Sequence, residues 1–179
     1  MTQSKNALQN GAVADAARSE ADAYRQGEDR PLGAYVLVMA VFAALVAGAA
    51  GLAAATGRRL PNGFGPWDLL LITAGTHKLS RTLTKDAVTS PLCAPFTRYS
   101  GTGGPAEVME EANTANGLRH AIGELVTCPF CLDMWIATGF AFGYVFAPRV
   151  TRLVAGTFTA LTGADFLHLA YAKGQQAVE

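Results

Sequence analysis

The stretch Thr127-Cys128-Pro129-Phe130-Cys131-Leu132-Asp133-Met134-Trp135 opens an apolar run that lasts to Pro148. Proline belongs in the first turn of a helix, where its missing N–H would have no partner anyway. The spacing predicts a helix over residues 129–147, with Cys128 at its cap and Cys131 one turn in. Both sulfurs then lie among the free N–H groups at the positive end of the helix dipole, which favours a thiolate there. About 20 apolar residues cross the hydrocarbon core of a bilayer, so this run reads as a transmembrane helix.

Two further runs share that character. Residues 33–56 carry no charge from Gly33 to Thr56 and predict another transmembrane helix. Residues 150–171 predict a third, joined to residues 129–147 by the tight turn at Pro148-Arg149, so the two should be antiparallel neighbours. Rows of small residues accompany them: Ala40, Ala44 and Gly48; Ala47, Gly51 and Ala55; Gly139 and Gly143; Gly156, Ala160 and Ala164. Such rows let helices approach closely in lipid.

Between the first two runs, residues 57–65 form a turn, and Pro66-Trp67-Asp68 opens a helix over 66–85. Its first half is apolar, whereas its second half carries His77, Lys78, Arg81 and Lys85. Two arrangements satisfy that pattern. The helix spans with its basic end reaching the interface, or it lies flat on the surface as an amphipathic helix. Residues 1–31 are polar, mixed in charge and alanine-containing, with no wide apolar stripe, and predict a mobile or weakly helical tail. The polar connection 86–126 is broken by Pro91, Pro95 and Gly101-Thr102-Gly103-Gly104-Pro105, and residues 107–124 predict one or two short helices.

Composition agrees with a membrane class. Half of the 179 residues are hydrophobic, 16% are charged, and mean hydropathy is +0.21. A soluble domain carries roughly a quarter charged residues. The formal net charge of zero gives no electrostatic reason to expect nucleic acid as a partner. Three cysteines do not make a disulfide framework. The expected fold is all-α and polytopic, with three to four transmembrane helices: a tail 1–31, a first span 32–57, and a membrane domain 66–172.

Lys and Arg concentrate in cytoplasmic loops. Whether the helix 66–85 spans or lies flat, that bias puts the 86–126 loop inside a cell membrane, and with it Cys128 and Cys131. The C-terminus falls on the same side. Cytosolic thiols are kept reduced, so a permanent disulfide is not expected.

The Cys128-x-x-Cys131 pair has three readings: cysteines filling helix packing beside Trp135, a redox dithiol, or half of a zinc site. Zinc needs two more ligands, for which Cys93, His120 and His77 are the candidates; the first expectation is no cofactor. No strand–helix alternation surrounds the motif, which excludes a thioredoxin fold. Asp165 and His168 lie one turn apart near the inner end of the last helix, where an ion pair of Asp165 with Lys78 or Arg81 is expected. Asp68 is expected to pair with Arg58 or Arg59. Lys78, Arg81 and Lys85 form a basic face for the lipid interface, and Trp67 and Trp135 suit the aromatic belt.

Two separated blocks carry a resemblance. One is Leu79-Ser80-Arg81-x-Leu83-x-Lys85-Asp86-x-Val88-Thr89-x-Pro91 with Ala94-Pro95-Phe96; the other is Glu124-Leu125-Val126-Thr127-Cys128-Pro129-Phe130-Cys131 followed by Trp135. In this order they resemble a group of short membrane proteins of spore-forming and actinobacterial species, classed as a domain of unknown function. The resemblance covers roughly Trp67 to Tyr171 and implies membrane location without implying a reaction. Where that group carries a basic residue before the proline–phenylalanine block, this chain has Cys93. The two blocks should pack at one membrane face, with Arg81 or Lys85 near the cysteines. The expected role is a small integral membrane protein, structural or partner-binding at the cytoplasmic face, rather than an enzyme. A membrane thiol–disulfide oxidoreductase using Cys128 and Cys131, and a cytoplasmic-face zinc protein, are the alternatives. Expected partners are the bilayer and a second copy or another membrane protein.

Overall fold

The computed structural model describes residues 2–105, 107–113 and 117–177. Residues Thr2–Arg25 form helix α1, where the sequence suggested a mobile or weakly helical tail. Alanine is the best helix former, and the (i, i+3) pairs Asp15–Arg18 and Asp22–Arg25 add support along its surface. The helix stops where Gln26 and Gly27 take positive φ.

Four more long helices start or end on local signals. Helix α2 covers Leu32–Ala55, α3 covers Pro66–Lys85, α6 covers Pro129–Phe146, and α7 covers Pro148–Gln176. Proline opens α3, α6 and α7, as its geometry favours. Three of these helices, α2, α6 and α7, are long and apolar enough to cross a membrane.

Helix α3 is the centre of the packing and lies against both α6 and α7. Leu71 of α3, Phe140 of α6 and Ala155 of α7 form the buried core, with Ile72, Leu79 and Ile136 against it. A ladder of contacts fixes the direction of α3. Asp68 meets Arg152, the Leu71 carbonyl accepts from Thr159, the Ala74 carbonyl accepts from Thr162, and Lys78 meets Asp165. Both residue numbers rise together, so α3 runs parallel to α7 from Asp68 to Lys78, and α6 runs antiparallel to both. Gly75 makes this close approach work: a Cβ there would stand 3.1 Å from the Ala155 carbonyl oxygen. Helix α2 lies to one side, against α5 (Leu118–Thr127) and α6.

The small-residue rows do less inside the chain than their pattern suggests. A Cβ at Gly48, Gly51, Gly139 or Gly156 would meet nothing within 4 Å, whereas one at Gly143 would strike the Thr151 side chain. The close helix contacts of the bundle are thus made at Gly75 against Ala155 and at Gly143 against Thr151.

The fold is mostly helical, and all-α is an approximation. After a single turn and the short helix α4 (Ser90–Cys93), strands β1 (Thr97–Thr102) and β2 (Val108–Ala112) form an antiparallel hairpin. Its register pairs Thr97 with Ala112 and Arg98 with Glu111, and slips at a bulge between Tyr99 and Gly101. Residues 107–124 were expected to be helical, but Val108–Ala112 is a strand. The glutamates there are good helix formers in isolation. Pairing with β1 overrides that preference, with Arg98–Glu111 at 3.2 Å and the Thr97 hydroxyl donating to Glu110 at 3.0 Å. The hairpin rests on α5, where Gly123 leaves room for the Phe96 carbonyl and Ala112.

Candidate functional site

One end of the bundle gathers the start of α2, the end of α3, the hairpin, α5 and the start of α6. Cys128 takes an extended conformation at the cap of α6, with Pro129 as the first helical residue. The Cys131 N–H donates to Cys128 Sγ at 3.3 Å, and the Leu132 N–H donates to the Cys128 carbonyl at 3.1 Å. Cys131 is exposed and Cys128 half-buried. Phe130, between them, is 85% exposed. Trp135 packs elsewhere: its ring meets Phe42 of α2 edge-on at 5.0 Å between centroids.

The expected cations are not at the cysteines. Arg81 pairs with Glu107, and Lys78 pairs with Asp165 at 2.8 Å. Lys85 makes no ion pair among the described residues. Lys78 and Arg81, cations that would activate a thiol, are thus held by carboxylates away from the pair.

Glu124 is the centre of this end. Its carboxylate accepts from the Tyr35 hydroxyl and from Arg30 Nη1 at 3.2 Å, and lies 3.4 Å from His120 Nε2. The other ring nitrogen, His120 Nδ1, lies 3.0 Å from the Asn113 carbonyl oxygen. The Arg30 guanidinium also stands 5.7 Å over the Tyr35 ring. One half-buried carboxylate thereby ties the entry to α2, the helix α5 and the loop after β2. Sequence reasoning missed it, because Arg30 and Tyr35 are remote in the chain. Only the His120–Glu124 spacing, one turn apart on α5, was visible.

Of the five zinc-ligand candidates, the structure brings Cys128 and Cys131 together and gives the other three separate surroundings. Both nitrogens of His120 face Glu124 and Asn113. Cys93 is 4% exposed, and its thiol donates to the Leu83 carbonyl at 3.3 Å and the Val126 carbonyl at 4.0 Å. Burial pushes the Cys93 thiol pKa up, and the charge of Glu110 adds to that. His77 is exposed on α3. Among the described residues no three His, Cys, Asp or Glu side chains converge.

At the opposite end, Asp68 pairs with Arg152 through two bonds, at 2.9 and 3.1 Å, and not with Arg58 or Arg59. The cause is the parallel alignment of α3 and α7, which puts their first turns side by side. Arg152 also covers the Tyr144 ring at 5.4 Å, and Arg58 donates to the Phe146 carbonyl at 3.1 Å. Of the remaining expected residues, Asp165 has the Lys78 partner foreseen for it, His168 is exposed, and Trp67 is exposed. Asp133 was overlooked. It is an acid inside an apolar helix, the same signal that singled out Asp165.

A family model described as a protein of unknown function, DUF1360, matches residues 70–171. The chain belongs to the DUF1360 family. The match runs from α3 into α7 and takes in the hairpin, Cys128, Cys131, His120, Glu124 and Asp133. Helices α1 and α2 lie outside it, so Glu124 lies within the DUF1360 region while Arg30 and Tyr35 do not. No curated protein and no solved structure matches the chain.

Proposed function

We propose that this DUF1360 protein is a small multi-pass protein of a bacterial cell membrane with a structural, partner-binding role. In this reading α2, α3, α6 and α7 all cross the bilayer. The hairpin, α5 and both termini share the cytoplasmic side, where they form the docking face for another membrane or cytoplasmic protein. The observation that carries it is the lengthwise, parallel packing of α3 on α7 from Asp68–Arg152 to Lys78–Asp165. A helix of 20 residues has the length of a span, about 30 Å, and its packing beside α7 supports a crossing rather than a position flat on the surface. Its basic second half then emerges beside the hairpin, at the end that also carries Arg25, Arg30, Arg98, Arg119 and Lys173. The other end carries Arg58, Arg59, Arg149 and Arg152, the smaller share expected outside.

Single cysteines in a chain with Cys93, Cys128 and Cys131 replaced by serine test the arrangement. Ser19→Cys in α1 and Tyr99→Cys in β1 should label with an impermeant maleimide only after the membrane is opened. Asn62→Cys, in the turn between α2 and α3, should label on intact cells. Labelling of Ser19→Cys and Tyr99→Cys from opposite sides would mean that α3 does not cross.

The exposure of Cys131 beside Cys128 favours a second reading, a membrane thiol–disulfide oxidoreductase. One thiolate attacks a partner's disulfide and releases one partner thiol. The second cysteine then resolves the mixed disulfide, leaving a Cys128–Cys131 disulfide and a reduced partner, with two electrons transferred. A Cys128→Ser or Cys131→Ser variant that traps a mixed disulfide supports this reading, and loss of zinc on replacing both supports the metal alternative.

A further inference from the structure

Helix α3 carries hydroxyls at Thr76, Ser80 and Thr84, four residues apart and so on one face. All three are buried, Thr76 at 7% and Ser80 at 1% exposure. Ser80 Oγ donates to the His77 carbonyl at 3.0 Å, and Thr84 Oγ1 donates to the Ser80 carbonyl at 2.9 Å. These hydroxyls point their protons back at their own helix and keep lone pairs free. Thr76 Oγ1 has no partner at all among the described residues.

Helix α6 packs along α3. Phe140 meets Leu71 in the core, and one turn further on Tyr144 lies under Arg152, the partner of Asp68. Because the helices are antiparallel, two turns back from Phe140 on α6 corresponds to two turns on from Leu71 on α3. Asp133 occupies that position, on the face it shares with Ile136 and Phe140, level with the turn from Thr76 to Ser80. Asp133 Oδ1 is buried, also without a partner among the described residues. The basic side chains of α3 in that region are engaged elsewhere, Lys78 with Asp165 and Arg81 with Glu107.

Asp133 as a whole is half-buried, but a carboxylate oxygen sealed from water with neither donor nor cation is costly, and more so in an apolar bundle. The N-terminal dipole of α6 offsets part of that cost but leaves the oxygen's lone pairs unfilled. We propose that Asp133, Thr76 and Ser80 hold a small monovalent cation, of the sodium class, between α3 and α6. Carboxylate and hydroxyl oxygens are hard ligands, suited to alkali and alkaline-earth ions rather than to zinc. One carboxylate among neutral hydroxyls balances a single positive charge, whereas a divalent ion would leave a net charge among apolar side chains. The site lies inside the bundle and is independent of which side of the membrane the hairpin faces.

Thermal unfolding of the full purified chain in detergent, in sodium chloride against choline chloride at equal ionic strength, tests the site. Sodium tenfold above its dissociation constant should raise the midpoint by about 3–6 °C. Asp133→Asn should abolish the sodium response, and Thr76→Val should shift it to higher sodium. Glu111→Gln, on the exposed hairpin, should keep it. If Asp133→Asn fails to fold, Thr76→Val and Ser80→Ala read the same response. A wild-type midpoint indifferent to sodium, lithium and potassium would leave water as the occupant and overturn the proposal, as would a sodium response that survives in Asp133→Asn.

Discussion

Gly123→Ala should detach the hairpin from α5. Alanine is the better helix residue by about 1 kcal/mol, so an exposed helix would gain from the change. Here the new Cβ would stand 2.6 Å from the Phe96 carbonyl oxygen, 2.9 Å from Ala112 Cβ and 3.1 Å from Ala112 Cα. Two of these obstacles are backbone, and neither is free to move. Ala112 is paired with Thr97 in the hairpin, and the Asn113 N–H donates to that same Phe96 carbonyl at 2.9 Å. Relief therefore requires the whole hairpin to shift away from α5. Overpacking against fixed neighbours costs about 3 kcal/mol at its upper end, which leaves a net loss of about 2 kcal/mol after the helix gain. For a chain of this length that is a fall of about 4–8 °C in the unfolding midpoint. Limited proteolysis should cut first within residues 97–112. Gly139→Ala, whose Cβ meets nothing within 4 Å, should show no such loss. A Gly123→Ala protein with an unchanged midpoint and a protected hairpin would refute the packing argument.

The double variant Thr159→Val, Thr162→Val removes the hydroxyls that donate to the Leu71 and Ala74 carbonyls at 3.2 and 3.0 Å. At about 0.6 kcal/mol for each such bond between membrane helices, the pair should lower stability by about 1 kcal/mol in detergent unfolding, while Thr157→Val should not. Tyr35→Phe should cost about 1 kcal/mol, the low end for a bond to a charged acceptor, because the Glu124 pair is only half-buried; unfolding of the two proteins side by side reads it. Alkylation of the native chain near neutral pH should modify Cys131 well before Cys93, which burial protects, with mass spectrometry of the digest giving the order. The raised thiol pKa of Cys93 also sets a direction with pH. The folded chain holds that proton longer than the unfolded chain, so stability is full below the ordinary thiol range and falls as pH rises through it. Cys93→Ala should flatten that alkaline decline.

Local chemistry made much of the helical framework legible. Pro66, Pro129 and Pro148 each open a helix whatever surrounds them, and the uncharged run 33–56 has one stable state in lipid. Asp165 with Lys78 was foreseeable because both positions follow from helix ends. The hairpin was not, because Thr97–Thr102 shows no apolar alternation and the glutamates of Val108–Ala112 prefer a helix when read alone. Their strand exists only through cross-strand partners and the support of α5.

The same division holds for the candidate site. The amino-acid order alone determined that Cys128 caps α6 with Cys131 one turn in, because capping is decided within four residues. Only tertiary packing decided that Arg81 and Lys78 are taken up by Glu107 and Asp165 rather than standing at those sulfurs, that Arg152 rather than Arg58 holds Asp68, and that Thr76 Oγ1 and Asp133 Oδ1 are buried without a partner among the described residues. Those outcomes depend on the parallel alignment of α3 with α7. That alignment comes from the fit of Gly75 against Ala155, a contact between residues far apart in the chain that no local pattern encodes.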